Sequence, residues 1–434
     1  MPSSAASSQQ NIGINVILKT DINPAILADL GRYGTVRDVV YEIRAVTLQA
    51  PSGMLPLIQR LPYVAAANPD AVRNGRPVKT VLVANFSGGL STWDLDAINV
   101  TNYNAGRTVA YDGTGVYVAV IDTGLVDNWR EYFPADRIAA QYATSFSGGG
   151  ADAGNVSELP NEWEHDADSH GTHVTSTILG YNMNGTSING VAPMATVIPV
   201  KVLNQNGSGW SSVIARGITY VADLKKNELP GHPVVINMSL GGPSLDAMEK
   251  AAIDYAIANG VIVVASAGNN GAAGMGYPGA YAPVISVAAS GWTGEWLGSG
   301  WWTGNVPDPT KPADFYITDF SSRQLSGQDL DVAAPGSWVV GPYQTNGQIS
   351  YYYLGGTSMA SPHVAGIVAL MAQKDPGLTA ADAESILENT AIRLAPGCRN
   401  IMDTTVGNFV SVCWDADATG AGLATADAAL KAIH

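Results

Sequence analysis

Five short runs rich in Val and Ile constrain this chain most: Val116–Ile121, Val197–Val202, Val234–Met238, Val261–Ala265 and Val284–Ala288. None alternates polar with apolar residues, so each predicts a strand buried on both faces. Between and after them lie helical patterns near His173–Gly180, Ser212–Lys225, Leu245–Asn259 and Ser361–Gln373. Apolar strands alternating with amphipathic helices predict an α/β fold, a doubly wound and mostly parallel sheet covered by helices. The chain is long enough for it: 434 residues, 46% hydrophobic, bury a large core with room for more than one domain.

The first seventy residues follow another rhythm. Residues 1–10, MPSSAASSQQ, read as a disordered tail with neither the basic start nor the apolar stretch of a signal peptide. In residues 11–70, strands are expected at Ile14–Leu18, Val36–Ile43, Ala45–Leu48 and Tyr63–Ala67. Helices are expected from Pro24, capped by Asn23, to Leu30, and over Leu55–Gln59. The order βαββαβ predicts a small ferredoxin-like α+β domain. Turn signals in residues 71–90, Asn-Gly and Ser-Gly-Gly, mark a linker. Residues 91–434 make the main domain. Within it, 290–330 breaks the pattern with Trp292, Trp296, Trp301 and Trp302, and reads as an ordered surface insertion that covers core or offers an aromatic face to a partner.

Charge narrows the partners. With 22 basic against 37 acidic side chains the net charge is −15. Such a chain lacks the basic face that nucleic acid or an anionic membrane requires. No apolar run approaches the roughly 18 residues of a membrane-spanning helix. Two cysteines, Cys398 and Cys413, lie 15 apart with Gly, Asn and Asp between. The spacing suits a loop-closing disulfide and hence an oxidising compartment; two reduced core cysteines are the alternative.

Three segments carry chemistry. Val118-Ala-Val-Ile-Asp122-Thr-Gly124 puts a carboxylate at the C-terminal end of a buried strand, the edge where parallel sheets place their sites. Ser169-His170-Gly-Thr-His173 starts a helix with a histidine. Gly355-Gly-Thr-Ser358-Met-Ala-Ser-Pro-His-Val-Ala-Gly366 sets a serine between a glycine-rich turn and a helix, beside N–H groups and a positive dipole end suited to an oxyanion. Together they resemble the subtilisin-like serine proteases, or subtilases, in the chain order Asp, His, Ser. The resemblance runs from about Ser91 to Ala432, with spacings of 48 between Asp122 and His170 and 188 between His170 and Ser358.

The resemblance implies a secreted serine endopeptidase acting on protein or peptide substrates, needing no cofactor for catalysis. Ser358 would be the nucleophile, His170 its base and Asp122 the residue that orients the imidazole. Val263-Val-Ala-Ser-Ala-Gly268-Asn269-Asn-Gly271 is similar to the family's oxyanion segment, giving that role to Asn269. Gly207-Ser208-Gly209 and Ser239-Leu240-Gly241 would form the cleft walls against which a peptide adds itself as a strand. Gly268 and Gly276 would leave room for a large apolar or aromatic P1 residue. Residues 11–70 resemble the family's inhibitory propeptide, which makes the chain a zymogen whose own propeptide is an intramolecular inhibitor. Phe86-Ser87 or Leu90-Ser91 would suit an autocatalytic cut.

Two rival readings remain: a pseudoprotease that binds peptides without cutting, and a metallohydrolase built on His165, Asp166, Asp168, His170 and His173. Structural calcium fits the family, with Asn182, Asn184 and Asn189 of residues 181–190 as one place for it. The chain is expected to be a monomer.

Overall fold

The computed structural model describes residues 10–83, 91–102, 106–151, 154–303, 306 and 310–433. Its main sheet runs, from one edge, Phe315–Ile317, Ile285–Trp292, Val261–Ser266, Val234–Met238, Tyr117–Asp122, Thr196–Lys201, Thr144–Ser147 and Ser157–Glu158, with Val332–Pro335 also paired to Ile285–Trp292. The central pairings are parallel and the two outermost antiparallel. Every residue of Val234–Met238 and Val261–Ser266 is buried. Helices Ser211–Asn227 and Ala247–Ala258 pack together over one face, and His170–Leu179 and Thr357–Lys374 over the other. The chain winds one way from Tyr117–Asp122 and the other from Val234–Met238. Such a switch point opens a crevice at the carboxyl ends of the strands. The α/β expectation holds, and no described helix is long and apolar enough to cross a membrane.

The N-terminal segment forms its own four-stranded antiparallel sheet, ordered Thr35–Val40, Ala45–Pro51, Asn11–Leu18, Val64–Pro69. That is the strand order of a split βαβ unit, and Asn23 caps helix Pro24–Leu30 through Ala25 and Ile26 N–H. Strand period two explains its two faces. Ile14, Val16, Leu18, Val46 and Leu48 point into its core. Asn15 and Thr47 point the other way, onto helix Ala247–Ala258: Asn15 Nδ2 donates to Asp246 at 3.0 Å and to Asp70 at 3.0 Å.

The structure departs from the sequence expectations in two places. The segment read as a linker holds strands Val72–Asn74 and Lys79–Leu82, which pair with the main domain and not with each other. The helix expected at Ser361 begins at Thr357, four residues early, with Pro362 as its sixth residue; the Ser358 carbonyl, which an N–H at position 362 would have met, accepts from Ser239 Oγ instead. Of the two readings of the tryptophan-rich stretch, its packing follows the one in which it covers core. Trp301 and Trp302 are buried, and Trp296 packs on Trp301, Trp338 and Tyr353. Cys398 and Cys413 are disulfide-bonded across the hairpin of Gly397–Asp403 and Asn408–Trp414.

Candidate active site

Strand Tyr117–Asp122 delivers Asp122, fully buried, to the crevice. Ser169, in the left-handed region at φ 75°, turns the chain so that His170 opens its helix. The imidazole meets the Asp122 carboxylate from Nδ1, at 2.8 Å to Oδ1 and 3.0 Å to Oδ2. Thr123 Oγ1 locks this junction, accepting from Gly171 N at 2.8 Å and donating to Asp166 at 2.6 Å. Gly171 must be glycine here, since a Cβ would strike the Gly124 carbonyl. Burial depresses the His170 pKa, but Asp122, by hydrogen bond and charge, with Asp168 and Asp166, outweighs it and raises it above 6.5. Nε2 is buried without a partner.

Ser358 is the second residue of its helix. Its Oγ donates to the Ser239 carbonyl at 3.1 Å, and Ser239 Oγ donates back to the Ser358 carbonyl at 2.8 Å. Asn237 and Ser361 tie the same strand end to the same helix. Asn269 Oδ1 accepts from both N and Oγ1 of Thr357 at 2.9 Å. With its oxygen so engaged, the side-chain amide keeps its N–H donors for the space before the helix N-terminus. A first helical turn leaves backbone N–H groups without intrahelical partners there.

The segments expected as cleft walls pair with the chain itself. Val72–Asn74 pairs antiparallel with Ser208–Trp210, Arg73 lying opposite Gly209. Asn74 and Gly241 exchange hydrogen bonds at 3.0 and 2.9 Å, and Gly75 N donates to Gly207 O at 2.9 Å. A Cβ at Gly75 would lie 2.9 Å from Ser239 O and 3.4 Å from His170 Cε1, so the segment passes directly over the site. It continues as Lys79–Leu82, paired with Gln348–Gly355. The Phe86-Ser87 and Leu90-Ser91 bonds lie outside the described residues. Leu240 is buried behind the wall. Gly276 approaches Gly242 and Gly268: a Cβ on it would lie 3.5 Å from Gly242 O and 3.9 Å from Gly268 Cα.

The residues from 165 to 173 do not converge on a metal. His165 is half-exposed and faces Asp127, His170 is spent on Asp122, and His173 Nε2 faces the Val339 carbonyl. Burial, with His170 beside it, pushes His173 down to about 3, as a neutral core histidine. Nor do residues 181–190 make a cation loop. Gly180–Met183 and Thr186–Asn189 form a tight hairpin, in which Asn182 accepts from Gly185 N and donates to Glu131 O. Among the described residues, the acidic group able to surround one ion is Asp329, Asp331 and Glu384. Asp331 is buried with Oδ1 unpartnered, and these hard oxygen donors fit calcium.

Sequence reasoning passed over four buried groups: Arg73, Asp70, Asp246 and Glu249. Asp246 and Glu249 carry a local signal, since Asp-x-x-Glu before a helical pattern reads as a capping box. Asp246 does cap Met248 and Glu249 N–H. Nothing local shows that Glu249 is buried.

The subtilase family model matches residues 113–422. Subtilisin DY of Bacillus licheniformis is 38% identical over 288 residues, 65% of this chain and 86% of that protein. Thermitase of Thermoactinomyces vulgaris is 33% identical over 284 residues, 65% of this chain and 84% of its own. Among solved structures, fervidolysin from Fervidobacterium pennivorans, described as a keratinolytic enzyme related to subtilisin, shares the fold. Its TM-score is 0.64 at 24% identity, over 99% of this chain and 62% of that one. The chain belongs to the subtilase family. It is a subtilisin-like serine endopeptidase.

Proposed function

We propose that Asp122, His170 and Ser358 form the catalytic triad, in a precursor held latent by its own N-terminal segment. The observation that carries this is the pairing of Asp122 with His170 Nδ1, which leaves Nε2 buried without a partner, together with Ser358 at a helix N-terminus bonded to the same Ser239 carbonyl that Gly75 approaches alongside His170. The mechanism requires Ser358 Oγ to turn from the Ser239 carbonyl to Nε2. His170 then takes the hydroxyl proton as Oγ attacks the scissile carbonyl, and returns it to the leaving amine. Asp122 holds the tautomer and stabilises the imidazolium. The Asn269 amide and the Ser358 backbone N–H receive the oxyanion. Water then hydrolyses the acyl-enzyme by the same base.

Residues 11–70 act as the inhibitor and 71–90 as the segment to be cut. Backbone pairing of Val72–Gly75 with Gly207, Gly209 and Gly241 is how a substrate strand would bind. A P1 side chain received at Gly268 and Gly276, which carry no side chains of their own, would be large and apolar or aromatic. The disulfide supports a secreted protein, and Asp329, Asp331 and Glu384 would hold a structural calcium ion remote from the chemistry.

The test is incubation of the full chain with intact-mass analysis and a fluorogenic peptide bearing an aromatic P1. Loss of an N-terminal fragment ending within 71–90, together with the onset of turnover, is expected from the wild type and absent in Ser358→Ala. A Ser358→Ala protein that processes itself and turns over substrate would overturn the reading.

A further inference from the structure

Arg73 is the one cation inside the cleft-bound strand, and it is fully buried. Its Nε donates to both oxygens of Glu249, at 3.1 and 3.2 Å. Nη2 donates to Glu249 at 2.6 Å and to the Ser244 carbonyl at 2.9 Å, and Nη1 to Val72 O at 3.2 Å. This is the forked geometry that suits a guanidinium and not an ammonium. Glu249 is equally buried, on helix Ala247–Ala258, and among the described residues only Arg73 donates to its carboxylate. Asp246 lies one turn before it.

The pair spans the two parts of the chain. Glu249 belongs to the peptidase fold and stays when the N-terminal segment leaves. Arg73 sits on the strand that takes the place of substrate. Gly75 lies against His170 and Ser239, and a Cβ at Gly356 would be 3.7 Å from Pro77 Cα. Arg76 lies between those contacts, so a substrate in this register presents the carbonyl at that position to Ser358. Arg73 is then the fourth residue before the cut bond.

Resting on the protease reading above, we propose that Glu249 makes this pocket a receptor for arginine at the fourth position before the cut, so that the enzyme selects substrates by a buried guanidinium as well as by the P1 side chain. A buried carboxylate with no other donor is poorly served by an aliphatic guest and well served by a guanidinium. Arg73 of the precursor is the first occupant of the site.

The test uses the full chain incubated until it turns over peptide, with acetyl-Arg-Asn-Gly-Phe and acetyl-Leu-Asn-Gly-Phe coumarylamides. The arginine peptide is expected to have the higher kcat/KM, on the order of 10- to 100-fold, the range of a buried charge-assisted hydrogen bond. Glu249→Gln collapses the ratio, and Glu249→Lys turns preference toward the matching glutamate peptide. Ratios are read within each variant, so a general loss of activity does not disturb them. Equal turnover of the two peptides by wild type, or a ratio that survives Glu249→Gln, overturns the proposal. If no peptide is cut at all, the protease reading fails separately. The pocket is then read by thermal unfolding of full-length Arg73→Ala. Millimolar ethylguanidinium should raise its Tm more than ethylammonium does, and not in Arg73→Ala/Glu249→Gln; no such rise overturns the proposal.

Discussion

Ser358 Oγ donates to the Ser239 carbonyl at 3.1 Å, and the strand carrying Ser239 is in turn held to the helix carrying Ser358. On the triad reading proposed above, the nucleophile therefore rests on a wall of the proposed cleft while Asp122 already orients the histidine. Catalytic hydrogen bonds commonly tighten only when substrate arrives. Removing Asn269 tests the other half of this arrangement. Asn269→Ala loses one oxyanion donor, and kcat should fall about 10²- to 10³-fold, the loss known for such a donor in subtilisin. KM on a fluorogenic peptide should change little.

The pH profile tests the carboxylates around His170. The histidine must be neutral to act as base, and its pKa lies above 6.5 because Asp122, Asp168 and Asp166 outweigh the cost of burial. The imidazolium therefore persists to higher pH than for an ordinary histidine, and kcat/KM should rise with a midpoint above 6.5. Asp168→Asn removes one of these charges and should lower the midpoint. A midpoint that does not move would show Asp168 to be screened.

Release of the N-terminal segment should depend on pH through Asp70. Burial raises its carboxyl above the ordinary 3.8 against the pull of Ser212 and Gly150 hydrogen bonds, with Asp246 adding to the rise. A group raised in the bound state favours binding while protonated. Raising the pH therefore weakens docking, and activation lag times should shorten from acid to neutral pH. Asp70→Asn should flatten that dependence in progress curves.

Glu295 gives a stability counterpart. Burial pushes its carboxyl up to about 8, although Trp292 N, Tyr316 and Ser337 donate to it. The folded chain keeps a proton that the unfolded chain releases above about 4.5, so this residue costs stability as pH climbs through that window. The slope is at most roughly 1.4 kcal/mol per pH unit. Glu295→Gln should flatten it in denaturant titrations at pH 5, 7 and 9.

Calcium should raise Tm through Asp331. A site occupied at about 100 times its Kd adds about 2.7 kcal/mol. Chelation should reverse the rise, and Asp331→Asn should abolish it while leaving peptide specificity unchanged.

What was legible in the sequence follows from how local each signal is. Asp122, His170, Ser358 and Asn269 each lie in contiguous runs of small and apolar residues, because backbone must pass close to backbone around them. The strand Val72–Asn74 was not legible. Its partners are Ser208–Trp210 and Gly241, far along the chain, and its own sequence reads as a connection. Glu249 was missed for the same reason, since its burial depends on Arg73, 176 residues away. At Asn184-Gly185 the local signal was present, and a simple turn was the alternative to a calcium loop. Asn-Gly is a strong hairpin signal, and both residues take positive φ in the turn that displaces the expected calcium loop.

The cleft-bound segment is held on both sides of its closest approach to His170, by Ser208–Trp210 before it and by Gln348–Gly355 after. A cut between those two pairings would free neither end at once. The new amine, still laced to the Gln348–Gly355 strand, would sit against the acyl-enzyme at an effective molarity that water must outcompete. Resealing would then be the default outcome of each scission. The clock of maturation would be the peeling of a short β-strand, and not the breaking of the peptide bond.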